Sequence, residues 1–334
     1  MTLYDINGNK IISSTSVENY NRDKWNGKVL VTDGNSLVAS SNWGEPLAEY
    51  LGMTHYNLGN SGSMITPASD TMETIKSNIA NNYPSKADLI ILQGDTNGNM
   101  NGEVADQMDG DEPKTTWCAR MNYFVRCLKA KYHNVIIVIM PDSVRYDGGF
   151  EQYYPHMVHG EGFGNRNRES YEIMKAFAEY NRLLFWNVDG STPFNPLHDD
   201  NYYSRLGYPN STHPTQDYVH PYQSYVTAKG KAIGSYVESL IFDPNAPNDS
   251  TDGWEDLVSC NITYNLTNVS CNKTATVYAM NTPFKPTLTA NDGYTLGTVS
   301  VTMGGVDVTE TVYANGVITI WPLTGDVVIT ATAS

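Results

Sequence analysis

The stretch Lys28-Val29-Leu30-Val31-Thr32-Asp33-Gly34-Asn35-Ser36-Leu37 decides how the first, larger part of the chain is read. Residues 28–32 form a short apolar run that stops at a Gly-Asn-Ser turn, which marks a buried strand. Outward from it the same alternation repeats. An amphipathic helix is predicted over 43–51 and closed by Gly52, then a strand over 54–58 and a helix over 69–82 with Asp70 near its start. A strand over 87–93, a long helix over 114–132 and a strand over 135–140 follow. A helix over 169–182, a strand over 183–188 and a last helix over 222–240, opened by Pro221, complete the series. Strands alternating with helices of these lengths predict an α/β fold, a parallel sheet covered by helices on both faces. Wholly apolar strands fit that burial. Sites in such sheets form beyond the carboxyl ends of the strands. Ser36, Gly62, Asn97 and the residues after Met140 all directly follow strands.

Bulk properties exclude several functions. The chain has 334 residues, enough for two domains, and carries 21 Lys and Arg against 36 Asp and Glu, a net charge of -15. With no basic footprint, nucleic acid is not an expected partner. The longest apolar runs, such as 135–140, are strand-sized and too short to span a bilayer, so no membrane insertion is expected. The N-terminus has no basic-then-apolar leader. That leaves a protein kept inside, a leader already removed, or release without one. The four cysteines include no Cys-x-x-Cys pair. Cys118 and Cys127 fall on opposite faces of a helix as free core thiols, and Cys260 and Cys271 can meet across a hairpin.

The expected organisation is an N-terminal arm over 1–26, a first domain over 27–241, a Pro-, Asn- and Asp-rich linker over 242–256 and a second domain over 257–334. In this last segment Thr and Val alternate with apolar residues between turn signals such as Gly304-Gly305 and Asn315-Gly316. A small all-β sandwich of Ig-like type is predicted. It contains no histidine, so its expected role is binding or spacing. Two metal-like spacings are set aside. Asp95, Asn97, Asn99 and Asn101 mimic a calcium loop but place Met100 where glycine is needed, and His156 and His159 lack a third ligand. Neither a metal nor an organic cofactor is expected.

The chemistry converges on Asp217-Tyr218-Val219-His220-Pro221. One short turn there can deliver both an imidazole base and the carboxylate that orients it, and Ser36 supplies a hydroxyl nucleophile. Four ordered blocks frame this set: Gly34-Asn35-Ser36-Leu37, then Asn57-Leu58-Gly59-Asn60-Ser61-Gly62, then Gly94-Asp95-Thr96-Asn97, then the Asp217 to Pro221 turn. In that order the chain resembles the SGNH hydrolase superfamily, the GDSL family of esterases and lipases, over residues 28–240. The resemblance implies a flavodoxin-like three-layer α/β/α sandwich and a Ser36, His220 and Asp217 triad. Its implied oxyanion hole is made by the backbone N–H groups of Ser36 and Gly62 and the side-chain amide of Asn97. Asn35 replaces the family's aspartate, and Asp95 its third-block glycine; Asn99 is the alternative to Asn97.

Long loops over 98–113, 141–168 and 189–216 fall on the expected active-site side and carry Tyr146, Tyr153, Tyr154 and Tyr203. Tyrosine faces with polar tips suit a sugar ring better than a lipid tail. The expected partner is therefore an acylated glycan or another small ester, deacylated by an ester hydrolase. The 257–334 segment looks like the β modules on surface and virion proteins of gut bacteria and their phages. A virion protein, released by lysis, needs no leader, and that segment would serve homo-oligomer or virion assembly. The rival readings are a non-catalytic glycan- or receptor-binding protein on the same fold, and a lipase or thioesterase.

Overall fold

The computed structural model describes residues 3–4, 10–12, 23–40, 42–94, 100–141, 163–186 and 223–334. Two short antiparallel strands, β1 (Leu3–Tyr4) and β2 (Lys10–Ile12), come first. Five parallel strands then make the central sheet: β3 (Val29–Gly34), β4 (Thr54–Asn57), β5 (Leu89–Gly94), β6 (Ile136–Pro141) and β7 (Leu184–Phe185). They lie in the order β4-β3-β5-β6-β7. Counted within the sheet this is 2-1-3-4-5, in which winding reverses between the first and third strands and leaves a crevice at their carboxyl ends.

Both faces of the sheet are covered, and the strand residues divide between two cores. Leu30, Leu89, Ile91, Val138 and Met140 pack with Trp43, Leu47 and Val226. Val31, Ile90, Leu92, Ile137 and Ile139 pack with Ile75, Phe124 and Phe177. A short helix, α1 (Ser36–Ala39), follows β3. The first core is closed by α2 (Gly44–Leu51) and α6 (Gln223–Ser239), the second by α3 (Met72–Asn82), α4 (Trp117–Lys131) and α5 (Phe163–Tyr180). Each fully buried large side chain contributes about 1.5–3 kcal/mol.

Helix α3 begins later than its composition predicts. Thr71 accepts from Thr74 N–H at 3.2 Å while its own N–H donates to Thr74 Oγ1 at 2.7 Å, a reciprocal cap that outcompetes Asp70. Thr116 caps α4 by a single bond, accepting from Ala119 N–H at 3.2 Å.

The segment 242–258 runs along the amino-terminal edge of the sheet. Lys28 Nζ donates to the Pro244 carbonyl, Asn248 Nδ2 donates to Asp88 Oδ1 at 3.2 Å, and Thr251 N–H donates to Lys131 O at 2.8 Å. Trp254 and Val258 enter the second core beside α4. Together with the 102–106 loop, to which Cys118 and Asn122 are bonded, they leave α4 buried nearly all round, including Arg120, Asn122 and both Cys118 and Cys127. Burial pushes both thiols up to about 12, so neither is reactive.

The remaining residues are all-β. β8 (Ser259–Thr267), β9 (Val277–Ala279), β10 (Leu296–Met303), β11 (Val306–Asp307) and β12 (Val327–Ala333) form a mixed sheet in the order β9-β8-β12-β10-β11. Strands β8 and β12 are parallel and the other neighbours antiparallel. Val269, Leu288 and Ile318, from short strand pairs outside this sheet, share one core with Ile262, Val301 and Ile329. Gly304-Gly305 and Asn315-Gly316 each join two paired strands, as their sequence predicts. Cys260 and Cys271 are free thiols, not a disulfide.

The loop that enters α4 holds the β region in place. Gly110 N–H donates to Val277 O at 2.9 Å. Asp111 accepts from Tyr278 Oη at 2.6 Å and from Thr274 N–H at 3.1 Å, and pairs with Lys273 at 2.6 Å. Among the described residues no helix is long and apolar enough to cross a membrane.

Candidate active site

The site is built on the end of β3. Gly34 sits at φ 153°, and a Cβ there would fall inside the Gln93 carbonyl of the neighbouring strand. Only glycine lets β3 and β5 close at this point. The chain then turns, and Asn35 caps α1: its Oδ1 accepts from Leu37 N–H at 2.9 Å, while its carbonyl accepts from Val38 and Ala39 at 3.0 and 2.9 Å. Asn35 thus makes the capping bond an aspartate would make, without burying a charge at a position only 1 % exposed. Leu37 and Val38 anchor the helix in the core. Ser36 is its half-buried first residue, placed beyond the carboxyl end of β3 with its N–H at a helix start.

The loop after β4 is bonded to the same turn. Leu58 N–H donates to Thr32 O and Asn60 N–H to Gly34 O, both at 2.8 Å. Asn57 Nδ2 donates to Val38 O at 3.1 Å and to Asn42 Oδ1 at 3.0 Å. Gly59 packs against the Ala39 backbone with no room for a side chain. Gly62 is exposed at φ 78°, and a Cβ there would meet nothing within 4 Å. Its backbone is therefore open to an approaching group.

Beneath these loops lie polar groups that sequence reading missed. Gln93, fully buried at the end of β5, accepts through Oε1 from Trp43 Nε1 at 2.6 Å and from Lys229 Nζ at 3.3 Å. Lys229 also lies 5.2 Å above the Trp43 ring. Asp33 accepts from Gly34 N–H at 2.7 Å and from Tyr83 Oη at 2.6 Å. Burial pushes its carboxyl up to about 6 against the lowering effect of those two bonds. The available signal was a polar residue inside an otherwise apolar buried strand, at Asp33 and at Gln93.

A hydroxyl, imidazole and carboxylate set lies at Thr32, within β3 and four residues before Ser36. Glu45 Oε2 stands 3.1 Å from His55 Nδ1, and His55 Nε2 stands 2.8 Å from Thr32 Oγ1. A carboxylate only accepts, so Nδ1 carries the proton and Nε2 accepts from the Thr32 hydroxyl. Burial holds the His55 pKa below its usual value, partly offset by Glu45. Thr32 is only 1 % exposed, so this set is structural.

Of the residues expected in the site, the structure brings Ser36 and the Gly62 loop together. Asn97, Asp217, His220, Tyr146, Tyr153, Tyr154 and Tyr203 lie outside the described residues. Helix α6, which begins three positions after His220, runs from the carboxyl edge of the sheet, where Lys229 meets Gln93, to the opposite edge, where Val237 O accepts from Trp25 Nε1 at 3.1 Å. No group of three or more His, Cys, Asp or Glu that could hold a metal ion occurs among the described residues.

No family model matches the chain, and no curated protein matches it. Solved structures do. A Lactobacillus plantarum protein is similar at 16% identity and TM-score 0.49, over 65% of this chain and 99% of the other. An M. smegmatis aryl esterase is similar at 14% identity and TM-score 0.40, over 64% of this chain and 100% of the other. A carbohydrate acetylesterase from Sinorhizobium meliloti is similar at 14% identity and TM-score 0.38, over the same shares, 64% and 100%. These likenesses assign neither family nor activity to this chain.

Proposed function

We propose that this chain is a serine ester hydrolase of the SGNH type that removes acetyl or other short acyl groups from a glycan. The observation that carries the reading is the placement of Ser36. It opens a helix at the carboxyl end of β3, beside the crevice of the 2-1-3-4-5 sheet, with the glycine loop bonded to its own turn. The descent of α6 from that edge supports bringing the Asp217 and His220 turn to it.

In this reading Ser36 Oγ attacks the ester carbonyl as His220 takes its proton, and Asp217 keeps the imidazole in the accepting tautomer. The Ser36 and Gly62 N–H groups and the Asn97 amide hold the oxyanion. Collapse expels the sugar alcohol, protonated by His220, and leaves an acyl group on Ser36. Water, activated by the same imidazole, then releases the acid. Tyr146, Tyr153, Tyr154 and Tyr203 are assigned to the sugar.

Hydrolysis of nitrophenyl esters of increasing acyl length, beside deacetylation of a panel of acetylated polysaccharides, tests the proposal. Wild type is expected to favour acetyl and to release acetate from at least one polysaccharide, and Ser36→Ala to do neither. Preference for long chains with no polysaccharide turnover would refute the glycan assignment. No hydrolysis at any length would leave a binding protein. Asn35 does not favour that rival, because it caps α1 as an aspartate would.

A further inference from the structure

Asp33 is a buried carboxyl inside the turn that presents Ser36, and the mechanism above does not use it. It points into the core on the α3 side, where Tyr83, the residue that ends α3, donates to Oδ2 at 2.6 Å. Its Oδ1 accepts from Gly34 N–H at 2.7 Å. The carbonyl of that same Gly34 accepts from Asn60 N–H at 2.8 Å, in the loop that carries Gly62. One carboxyl therefore holds the residue to which both the Ser36 helix and the glycine loop are attached.

We propose that Asp33 is a positioning residue whose ionised form holds the Gly34 turn, and with it Ser36 and the 58–62 loop, in the active arrangement. The proposal rests on the ester-hydrolase reading of Ser36. As a carboxylate, Asp33 offers acceptors to both Gly34 N–H and Tyr83 Oη, and bonds to a charged acceptor are the stronger ones. Once protonated, one oxygen becomes a donor and competes with the Tyr83 hydroxyl for the same space.

The groups facing it are few. From α3 comes Tyr83 alone, backed by the Tyr132 phenol after α4. On α4, Arg120 donates to the carbonyls of Thr66 and Thr115, and its charge acts on Asp70. From the neighbouring strand β5, Leu92 packs in the same core. No cation pairs with Asp33 among the described residues. Its proton therefore comes off near pH 6, well above the usual carboxylate range.

The test is the pH profile of kcat/KM for nitrophenyl acetate in wild type, Asp33→Asn and Tyr83→Phe. Below pH 6 two protons must leave wild type, one from Asp33 and one from the base. The limb should then approach a slope of 2 in wild type and 1 in Asp33→Asn, as roughly expected for two essential ionisations against one. The ratio of Asp33→Asn to wild-type activity should rise about tenfold between pH 8 and pH 5. Tyr83→Phe removes a bond that lowers the Asp33 pKa, so its limb should move to higher pH. Water entering a merely loosened core would move it lower.

Superimposable normalised profiles in an active enzyme would overturn the proposal alone. Absence of hydrolysis in wild type would overturn the reading beneath it. A substrate-free arm follows the carboxyl directly. An acid with a raised folded pKa is least costly below its unfolded value, and its contribution declines as pH rises through the folded one. The melting temperature of Asp33→Asn relative to wild type should therefore grow between pH 4 and pH 8. A constant difference would show that Asp33 ionises at the same pH in the folded and the unfolded chain, and would also overturn the proposal.

Discussion

Thr32 and Ser36 sit on either side of the Gly34 turn, one in the closed wall of the sheet and the other on its open rim. Chemically the wall is the more complete among the described residues. Thr32 already has an imidazole at 2.8 Å and a carboxylate behind it at 3.1 Å, in the tautomer a serine nucleophile would need. Yet Thr32 is 1 % exposed and lies within β3, where no carbonyl carbon can approach it. Ser36 stands past the strand end, half-buried, at a helix start, with an open glycine loop bonded alongside. A relay of three side chains is therefore not what makes a site. Access at the rim, and backbone donors facing it, separate the proposed nucleophile from a satisfied core hydrogen bond.

Substitutions at the two ends can break that contrast. Ser36→Ala and His220→Ala should each lower kcat/KM for nitrophenyl acetate by on the order of 10⁴–10⁶, with melting temperature unchanged. If Ser36→Ala retained activity, the nucleophile would lie elsewhere. Gly34→Ala, which drives a methyl group into the Gln93 carbonyl, should destabilise the chain by more than about 4 kcal/mol, seen as loss of the cooperative melt. Asn97→Ala should cost about 10²–10³ in kcat with little change in KM. An effect confined to KM would remove it from the oxyanion hole.

On the wall the expectation is reversed. Thr32→Val removes the donor to a buried imidazole and should cost about 1–3 kcal/mol by denaturant unfolding, while kcat/KM stays within about twofold. The smallest effect is the pH dependence of that wall. His55 has a depressed folded pKa, so its neutral form contributes stability above the unfolded value near 6.5, and this is lost as pH falls through the folded value. The melting difference between wild type and His55→Gln should therefore narrow on acidification, and a difference that widened would mean His55 is charged in the fold.

Much of the architecture was legible because its signals are local. The runs expected as strands at 28–32, 87–93 and 135–140 became the wholly or nearly wholly buried strands Val29–Gly34, Leu89–Gly94 and Ile136–Pro141. The Gly34-Asn35-Ser36 turn and the glycine loop after β4 were visible for the same reason, since each is set by a few neighbouring residues. Helix ends were less well placed. Thr71 and Thr116 win the caps through hydroxyl geometry that composition does not rank above Asp70 or Lys114. The burial of both faces of α4 was legible only in its two core cysteines, because its cover comes from the 102–106 loop and from Trp254 and Val258, far along the chain.

Residue order alone set the alternation of strands and helices, the change to an all-β texture after the 242–256 segment, and the residues that open the turn after β3. Hydrophobic period and turn chemistry act within a few residues, so they can be read in order. Folding in three dimensions brings Asp33 to Tyr83, Gln93 to both Trp43 and Lys229, and His55 between Thr32 and Glu45. Those contacts join distant segments, and burial alone fixes how each group ionises. A carboxyl beside the Gly34 turn is ordinary in the chain and perturbed only once α3 shuts water away from it.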